Sequence, residues 1–156
     1  MKLQNGQQAP DFKLFNTQKK AISLSEQKGK NTLLLFFPLA FTSTCTAELC
    51  STRDELSLYN SLDTEVYGIS GDSLFVLSKF KEALNLNFEL LSDFNKNVSE
   101  DYDSIYPEFI YGMKGVTKRS AFIVDKNGII RYAEVLDNAG EQPNFEKIKE
   151  CLRQLN

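Results

Sequence analysis

The chain has 156 residues, 42% hydrophobic and 25% charged, with only 4 Pro and 8 Gly, which excludes a disordered, collagen-like or low-complexity protein and leaves one domain's worth of chain with a sizeable core. The 18 Lys and Arg against 21 Asp and Glu give a net charge of -3 with no basic stripe, an argument against nucleic-acid partners. With 0 His, histidine zinc and haem sites, histidine triads and imidazole acid–base chemistry are excluded, so any chemistry runs on Cys, Asp, Glu, Lys, Arg, Tyr or hydroxyls.

Residues 1–156 read as one domain without linker, repeat or seam. Gln7 to Asp11 is a polar lead-in. Phe12 and Leu14, then Ile22 and Leu24, alternate on either side of the turn-like Asn16–Lys20 and predict two short strands or a hairpin. Ser25–Asn31 is a polar loop. Thr32 to Phe37, TLLLFF, is a continuous apolar run ended by Pro38, the pattern of a central strand buried on both faces. After the loop Leu39–Thr44, Leu49, Leu56 and Tyr59 recur at helical spacing and predict a helix from Cys45 to Tyr59. Glu65–Ser70 reads as a strand. Asp72 or Ser73 caps the next helix, which carries Phe75, Val76, Phe80, Ala83 and Leu84. A short strand holds Phe88, Leu90 and Leu91, and Asp93 to Gly115 has no clear period.

Ser120–Asp125 and Ile129–Val135 are apolar runs about the turn Asp125-Lys126-Asn127-Gly128, a hairpin signal. Pro143 suits the first turn of a last helix, with Phe145, Ile148, Leu152 and Leu155 on one stripe. The order predicts an α/β protein, a central mixed β-sheet flanked by helices. No apolar leader is visible, and the longest apolar stretch, Leu33 to Phe37, is far too short for a bilayer. Three cysteines do not make a secreted disulfide scaffold, so a cytoplasmic location is expected and no membrane partner.

The segment with sharp chemistry is FPLAFTSTCTAELC, Phe37 to Cys50. Cys45 falls where a buried strand's carboxyl end passes through a loop into a helix, the place where open α/β sheets bind ligands. Free N–H groups and the helix dipole there favour the thiolate, the nucleophilic form. Thr42, three residues upstream, offers a hydroxyl to the sulfur or to a bound oxygen, and Pro38 shields the sulfur and stiffens the loop. Arg119, just before the Ser120 strand, is the natural counter-charge. Arg53 lies about 12 Å along the helix and reaches back less directly. Glu48, one turn from Cys45, opposes ionisation of the thiol if unpaired, or holds the guanidinium if paired with Arg53 or Arg119; the second role is expected. Cys151 reads as a packing residue of the last helix. Gly29-Lys30-Asn31-Thr32 is no phosphate loop, because a strand follows where a helix is required.

Pro38-x-x-x-Thr42-x-x-Cys45 after an apolar strand, with Arg119 before a later one, resembles the active site of a peroxiredoxin of the thiol-specific antioxidant and alkyl hydroperoxide reductase family. APDF at Ala9–Phe12, GISGDS at Gly68–Ser73 and RSAFIVDKNGIIRY at Arg119–Tyr132 extend the likeness over nearly the whole chain. FPLAFTSTC resembles the AhpE-like group, and CTAELCSTRDEL the bacterioferritin-comigratory (PrxQ) group. The resemblance implies a thioredoxin-like fold and a peroxidatic Cys45 that reduces hydrogen peroxide or organic hydroperoxides and becomes sulfenic acid. It implies that Thr42 and Arg119 bind the peroxide oxygens, and that no metal, haem or flavin takes part. In the PrxQ pattern Cys50 is the resolving cysteine; otherwise an external thiol resolves. On an intact helix Cys45 and Cys50 stand about 7.5 Å apart along the axis and about 140° apart around it, so a disulfide requires the helix start to unwind. Thioredoxin, glutaredoxin or a small thiol are the expected reductants, and a homodimer or monomer the expected state. The competing readings are a thioredoxin-fold thiol–disulfide reductase, a non-enzymatic redox sensor, and a scaffold or chaperone indifferent to Cys45.

Overall fold

The structure, a computed structural model, describes residues 3–156. Nine strands and five helices follow in the order β1 (Lys13–Asn16), β2 (Ala21–Ser23), β3 (Asn31–Phe36), α1 (Ser43–Asp54), α2 (Leu56–Ser61), β4 (Thr64–Ser70), α3 (Leu74–Leu84), β5 (Glu89–Ser92), α4 (Asn97–Asp101), β6 (Ile105–Tyr106), β7 (Val116–Thr117), β8 (Ser120–Val124), β9 (Ile130–Val135) and α5 (Phe145–Leu155). Seven strands form one mixed sheet in the order β2-β1-β5-β4-β3-β8-β9, and β6 pairs with β7 in a small second ribbon.

The apolar run 32–37 becomes β3 because both of its faces are covered. Leu33, Leu35 and Phe37 pack on one side with Leu49 of α1, Leu77 and Phe80 of α3, and Ile148 and Leu152 of α5. Leu34 and Phe36 face the other side with Ile69, Leu91, Tyr102 and Phe122. Tyr102 closes that second layer: its ring lies 5.2 Å from those of Phe36 and Phe122, and its hydroxyl donates to the Pro10 carbonyl at 2.6 Å.

Register decides what meets at the sheet's end. β3 runs parallel to β4 and antiparallel to β8, with Phe36 opposite Ser120. The residue before β8, Arg119, therefore stands at the carboxyl end of β3, beside the loop that leads into α1.

The turn 125–128 forms as the sequence predicts. The Asp125 carboxylate accepts from the N–H groups of Asn127 (2.9 Å) and Ile129 (3.0 Å) and from Arg131 Nε (2.6 Å). Asp125→Ala is expected to cost about 2 kcal/mol in urea unfolding, and Asp125→Asn, which keeps one acceptor, about half of that. A loss under about 0.5 kcal/mol for alanine would mean that water replaces all three bonds.

Four features differ from the sequence reading. The helix predicted over 45–59 is two, joined at Glu55 (φ -108, ψ 13), whose N–H is shared between the carbonyls of Ser51 and Thr52. Thr52 Oγ1 bonds back to the Glu48 carbonyl at 3.0 Å, a contact that bends helices, and Lys149 of α5 pairs with Glu55 at the join. On α3 the inward face is Leu77 and Phe80, while Phe75 and Val76 are exposed. Ser25–Asn31 begins as a single 3₁₀ turn, Leu24–Gln27. Pro143 precedes α5, and Asn144 caps it by accepting from the Lys147 N–H. The aperiodic stretch 93–115 holds α4, β6 and a 3₁₀ turn at 110–112, pieces too short to show a period.

Candidate active site

β3 ends as Phe37 N–H bonds the Ile69 carbonyl at 2.9 Å. Pro38 is buried and has no N–H to continue the ladder. The chain reverses through Phe41, a non-glycine residue at φ 68, into an extended Thr42 that precedes α1. Thr42 does not cap the helix with its side chain: Oγ1 donates to the Leu39 carbonyl at 2.7 Å. The first ladder bond of α1 is Thr46 N–H to the Thr42 carbonyl at 2.9 Å, so the Cys45 N–H stands outside the ladder at the positive end of the helix.

Cys45 is 0% exposed, in the first turn of α1. Arg119, 1% exposed, uses every position of its guanidinium: Nη2 donates to Cys45 Sγ at 3.2 Å, Nη1 to Glu48 Oε1 at 2.6 Å, and Nε to the Ala139 carbonyl at 3.0 Å. Its backbone N–H reaches Tyr106 Oη at 3.4 Å, and that hydroxyl donates to the Leu136 carbonyl at 2.8 Å. The planar fork thus holds the sulfur and the carboxylate side by side in fixed geometry.

The two partners of the ion pair are unequally served. Burial pushes the Glu48 carboxyl up to about 7, although the Arg119 charge and hydrogen bond pull it down, and Glu134 adds to the rise. Its second oxygen, Oε2, is buried without a hydrogen-bond partner. Burial pulls the Arg119 guanidinium down, but Glu48 and Cys45 together outweigh it and hold it above its usual range. The guanidinium has two acceptors, Cys45 and Glu48, while the Glu48 carboxyl has one cation and a bare oxygen, so desolvation governs Glu48.

A cleft of about 450 Å³ opens beside the helix start, bordered by Pro38, Thr42, Thr44, Tyr106, Phe109 and Arg119, with Cys45 buried behind these residues. Phe109 stacks on Tyr106 with ring centroids 5.4 Å apart, giving the cleft an apolar wall opposite the polar helix start.

Of the predicted residues, the structure brings Pro38, Thr42, Cys45, Glu48 and Arg119 together. Arg53 is not among them. Its Nη1 donates to the Leu84 carbonyl at 2.6 Å and its Nε pairs with Asp54 at 2.9 Å, so the expected reach toward Cys45 or Glu48 is replaced by a tie between α1 and the end of α3. Cys50, half-buried and free, sits two turns into α1 from its start. Cys151 packs on α5 with Sγ 3.6 Å from the Arg131 carbonyl, and burial pushes its thiol up. Tyr106 and the Ala139 carbonyl are parts of the site that the sequence reading missed. Tyr106 lies in the aperiodic stretch, and any residue at 139 would supply a carbonyl.

Comparison with known proteins gives the family. The family described as AhpC/TSA matches residues 5–133. A Haemophilus influenzae protein named putative peroxiredoxin bcp is 36% identical over 152 residues, covering 96% of both chains. A Drosophila melanogaster protein named thioredoxin-dependent peroxide reductase, mitochondrial, is 33% identical over 141 residues, covering 84% of this chain and 58% of its own. The crystal structure of peroxidoxin BcpB from Mycobacterium tuberculosis has the same fold, with a TM-score of 0.87, 24% identity and 99% of each chain covered. A buried thiol forked to an arginine at the end of a thioredoxin-like sheet, in a chain this close to named peroxiredoxins, has one reading: the chain belongs to the AhpC/TSA family, the peroxiredoxins, and is a thiol-dependent peroxidase.

Proposed function

We propose that Cys45 is the peroxidatic cysteine, with Thr42, Arg119 and Pro38 forming its peroxide site and Cys50 resolving the product. The observation that carries this reading is the Arg119 fork, which places a fixed cation 3.2 Å from the sulfur. The Cys45 thiolate attacks one oxygen of ROOH. The S–O bond forms as the O–O bond breaks, sulfur is oxidised by two electrons to Cys45–SOH, and RO⁻ leaves and takes up a proton as ROH. Negative charge moves from sulfur to the departing oxygen, and preorganised donors stabilise it there: the Arg119 guanidinium and the free Cys45 N–H. Thr42 spends its only hydroxyl proton on Leu39, so its lone pairs accept from the O–H of the peroxide. Pro38 and the Phe109 wall exclude water from the reacting atoms.

Resolution follows by attack of the Cys50 thiolate on Cys45–SOH, forming the disulfide and releasing hydroxide that leaves as water. A helix continuous from Ser43 to Asp54 keeps the two sulfurs apart, so its first turn unwinds in each cycle. Ser43, Thr44 and Thr46 are weak helix formers, which makes that opening inexpensive. A thiol then reduces the disulfide. The name of the Drosophila relative points to thioredoxin, with glutaredoxin and small thiols as the alternatives to assay. We place the enzyme in the cytoplasm as a single-domain monomer or homodimer; no described helix is long and apolar enough to cross a membrane.

Intact mass and peptide mapping after one equivalent of hydrogen peroxide test the scheme. The expected result is a loss of about 2 Da mapped to Cys45–Cys50. A gain of about 16 or 32 Da at Cys45 with Cys50 still free would replace it with a one-cysteine cycle served by an external thiol. No change at Cys45 would overturn the assignment of the nucleophile.

A further inference from the structure

Asp72 lies just past β4 and takes no part in the chemistry above, yet four hydrogen bonds hold it. Its Oδ2 accepts from the backbone N–H of Ala40 at 2.8 Å and from Ser70 Oγ at 2.7 Å. Its own N–H donates to Ser70 Oγ at 3.1 Å, and its carbonyl accepts from Ser92 Oγ at 2.6 Å. Ser70 and Ser92 are paired last residues of β4 and β5. One carboxylate is therefore anchored to the ends of two central strands and reaches across to the loop that carries Thr42 and the start of α1.

Apart from the packing of Pro38 and Ala40 against the core, that loop has little else to hold it. Pro38 has no N–H, and the Thr42 hydroxyl bonds within the loop, to Leu39. Among the described residues, no other hydrogen bond joins 38–42 to an element distant in sequence. Phe41, next to Ala40, sits at φ 68, a region that non-glycine residues leave when nothing keeps them there. Its ring leans on Phe80 with centroids 5.0 Å apart and is itself 58% exposed, a weak second tether.

We propose that Asp72 is a latch on the peroxidatic loop: its bond to the Ala40 N–H holds the loop and the first turn of α1 in place for the peroxide step, and its release frees that turn to carry Cys45 to Cys50. Asp72 is a positioning residue, acting through Ala40 and not on the reacting atoms. Only the final movement rests on the two-cysteine scheme; the holding of the loop does not.

The test is amide hydrogen exchange on the reduced, full-length chain, comparing Asp72→Ala and Asp72→Asn with the native protein. Losing a hydrogen bond to a charged group makes the expected result for alanine about tenfold faster exchange confined to residues 40–50. Asparagine keeps a carbonyl acceptor for Ala40 and is expected to stay within about twofold of native. Unchanged exchange in the alanine variant, an equal rise through β3, β4 and α3, or an asparagine variant as fast as alanine would each overturn the latch. Alongside, the rate of Cys45–Cys50 disulfide formation after a peroxide pulse is expected to rise about tenfold with alanine; an unchanged rate beside faster exchange would overturn the latch as a control on resolution. Failure of the two-cysteine scheme reads differently: neither native nor variant protein would form that disulfide, while the exchange difference would persist.

Discussion

Cys45→Ser is expected to lower the rate constant for peroxide reduction by roughly four orders of magnitude or more, with the fold retained. A serine hydroxyl stays protonated at neutral pH, and no base is hydrogen-bonded to residue 45 to take its proton: the chain has 0 His, and Glu48 bonds Arg119 and not Cys45. Even as an alkoxide, the oxygen has no counterpart of the two-electron oxidation that sulfur undergoes. Serine is nearly the size of cysteine, and its Oγ can accept the Arg119 Nη2 bond that sulfur accepts, so thermal unfolding is expected to stay close to native. The measurement is stopped-flow peroxide consumption with excess reductant. Turnover surviving in the serine variant would overturn Cys45 as the nucleophile, and a chaperone or scaffold role would leave activity indifferent to the change.

The sequence shows the centre of the fold clearly and its periphery poorly, for a physical reason. TLLLFF is legible because burial on both faces forces every position to be apolar, and the 125–128 turn because only a few residue types suit it. The meeting of Cys45 with Arg119 follows from register: antiparallel pairing of β8 on β3 sends Arg119 to the end from which the cysteine loop departs. Tyr106 and the Ala139 carbonyl were not legible, since neither a two-residue strand nor a backbone acceptor leaves a pattern. The role of Glu48 was half legible. Helical spacing puts it near Cys45, but the choice between Arg53 and Arg119 needed the tertiary fold, in which Leu84 and Asp54 occupy Arg53. Asp72 was visible only as a possible helix cap, a role that Ser73 fills by accepting from the Val76 N–H.

Removing the cation of the buried pair should damage chemistry and stability together, and pH should separate the two. Arg119→Ala is expected to slow the reaction of Cys45 with peroxide by about 10²–10³-fold, the usual loss when one preorganised donor is withdrawn from developing negative charge. It also leaves Glu48 buried without a counter-charge, a defect worth about 3–5 kcal/mol when the carboxylate is ionised. Glu48 sits at about 7 in the folded protein against 4.5 for the ordinary carboxyl. The folded state therefore holds a proton that the unfolded chain has released, and the stability this contributes is present below the unfolded value and lost as pH rises through about 7. Without Arg119 the carboxyl holds its proton to still higher pH, so native and variant proteins carry the same neutral Glu48 in mild acid and diverge in base. Urea unfolding in a Cys45→Ser background, which leaves Glu48 as the group that titrates at the site, is expected to show a deficit that is larger near about pH 8.5 than near about pH 5.5 by up to about 2 kcal/mol, about 1.4 kcal/mol for each pH unit above the native value. Arg119→Ala combined with Glu48→Gln, compared with Glu48→Gln alone in the same background, has no titrating group in either protein, so its deficit is expected to be flat with pH. A deficit in the single variant that is equally flat would mean that Glu48 finds water or another cation once Arg119 is gone, and that the arginine contributes to folding through packing alone.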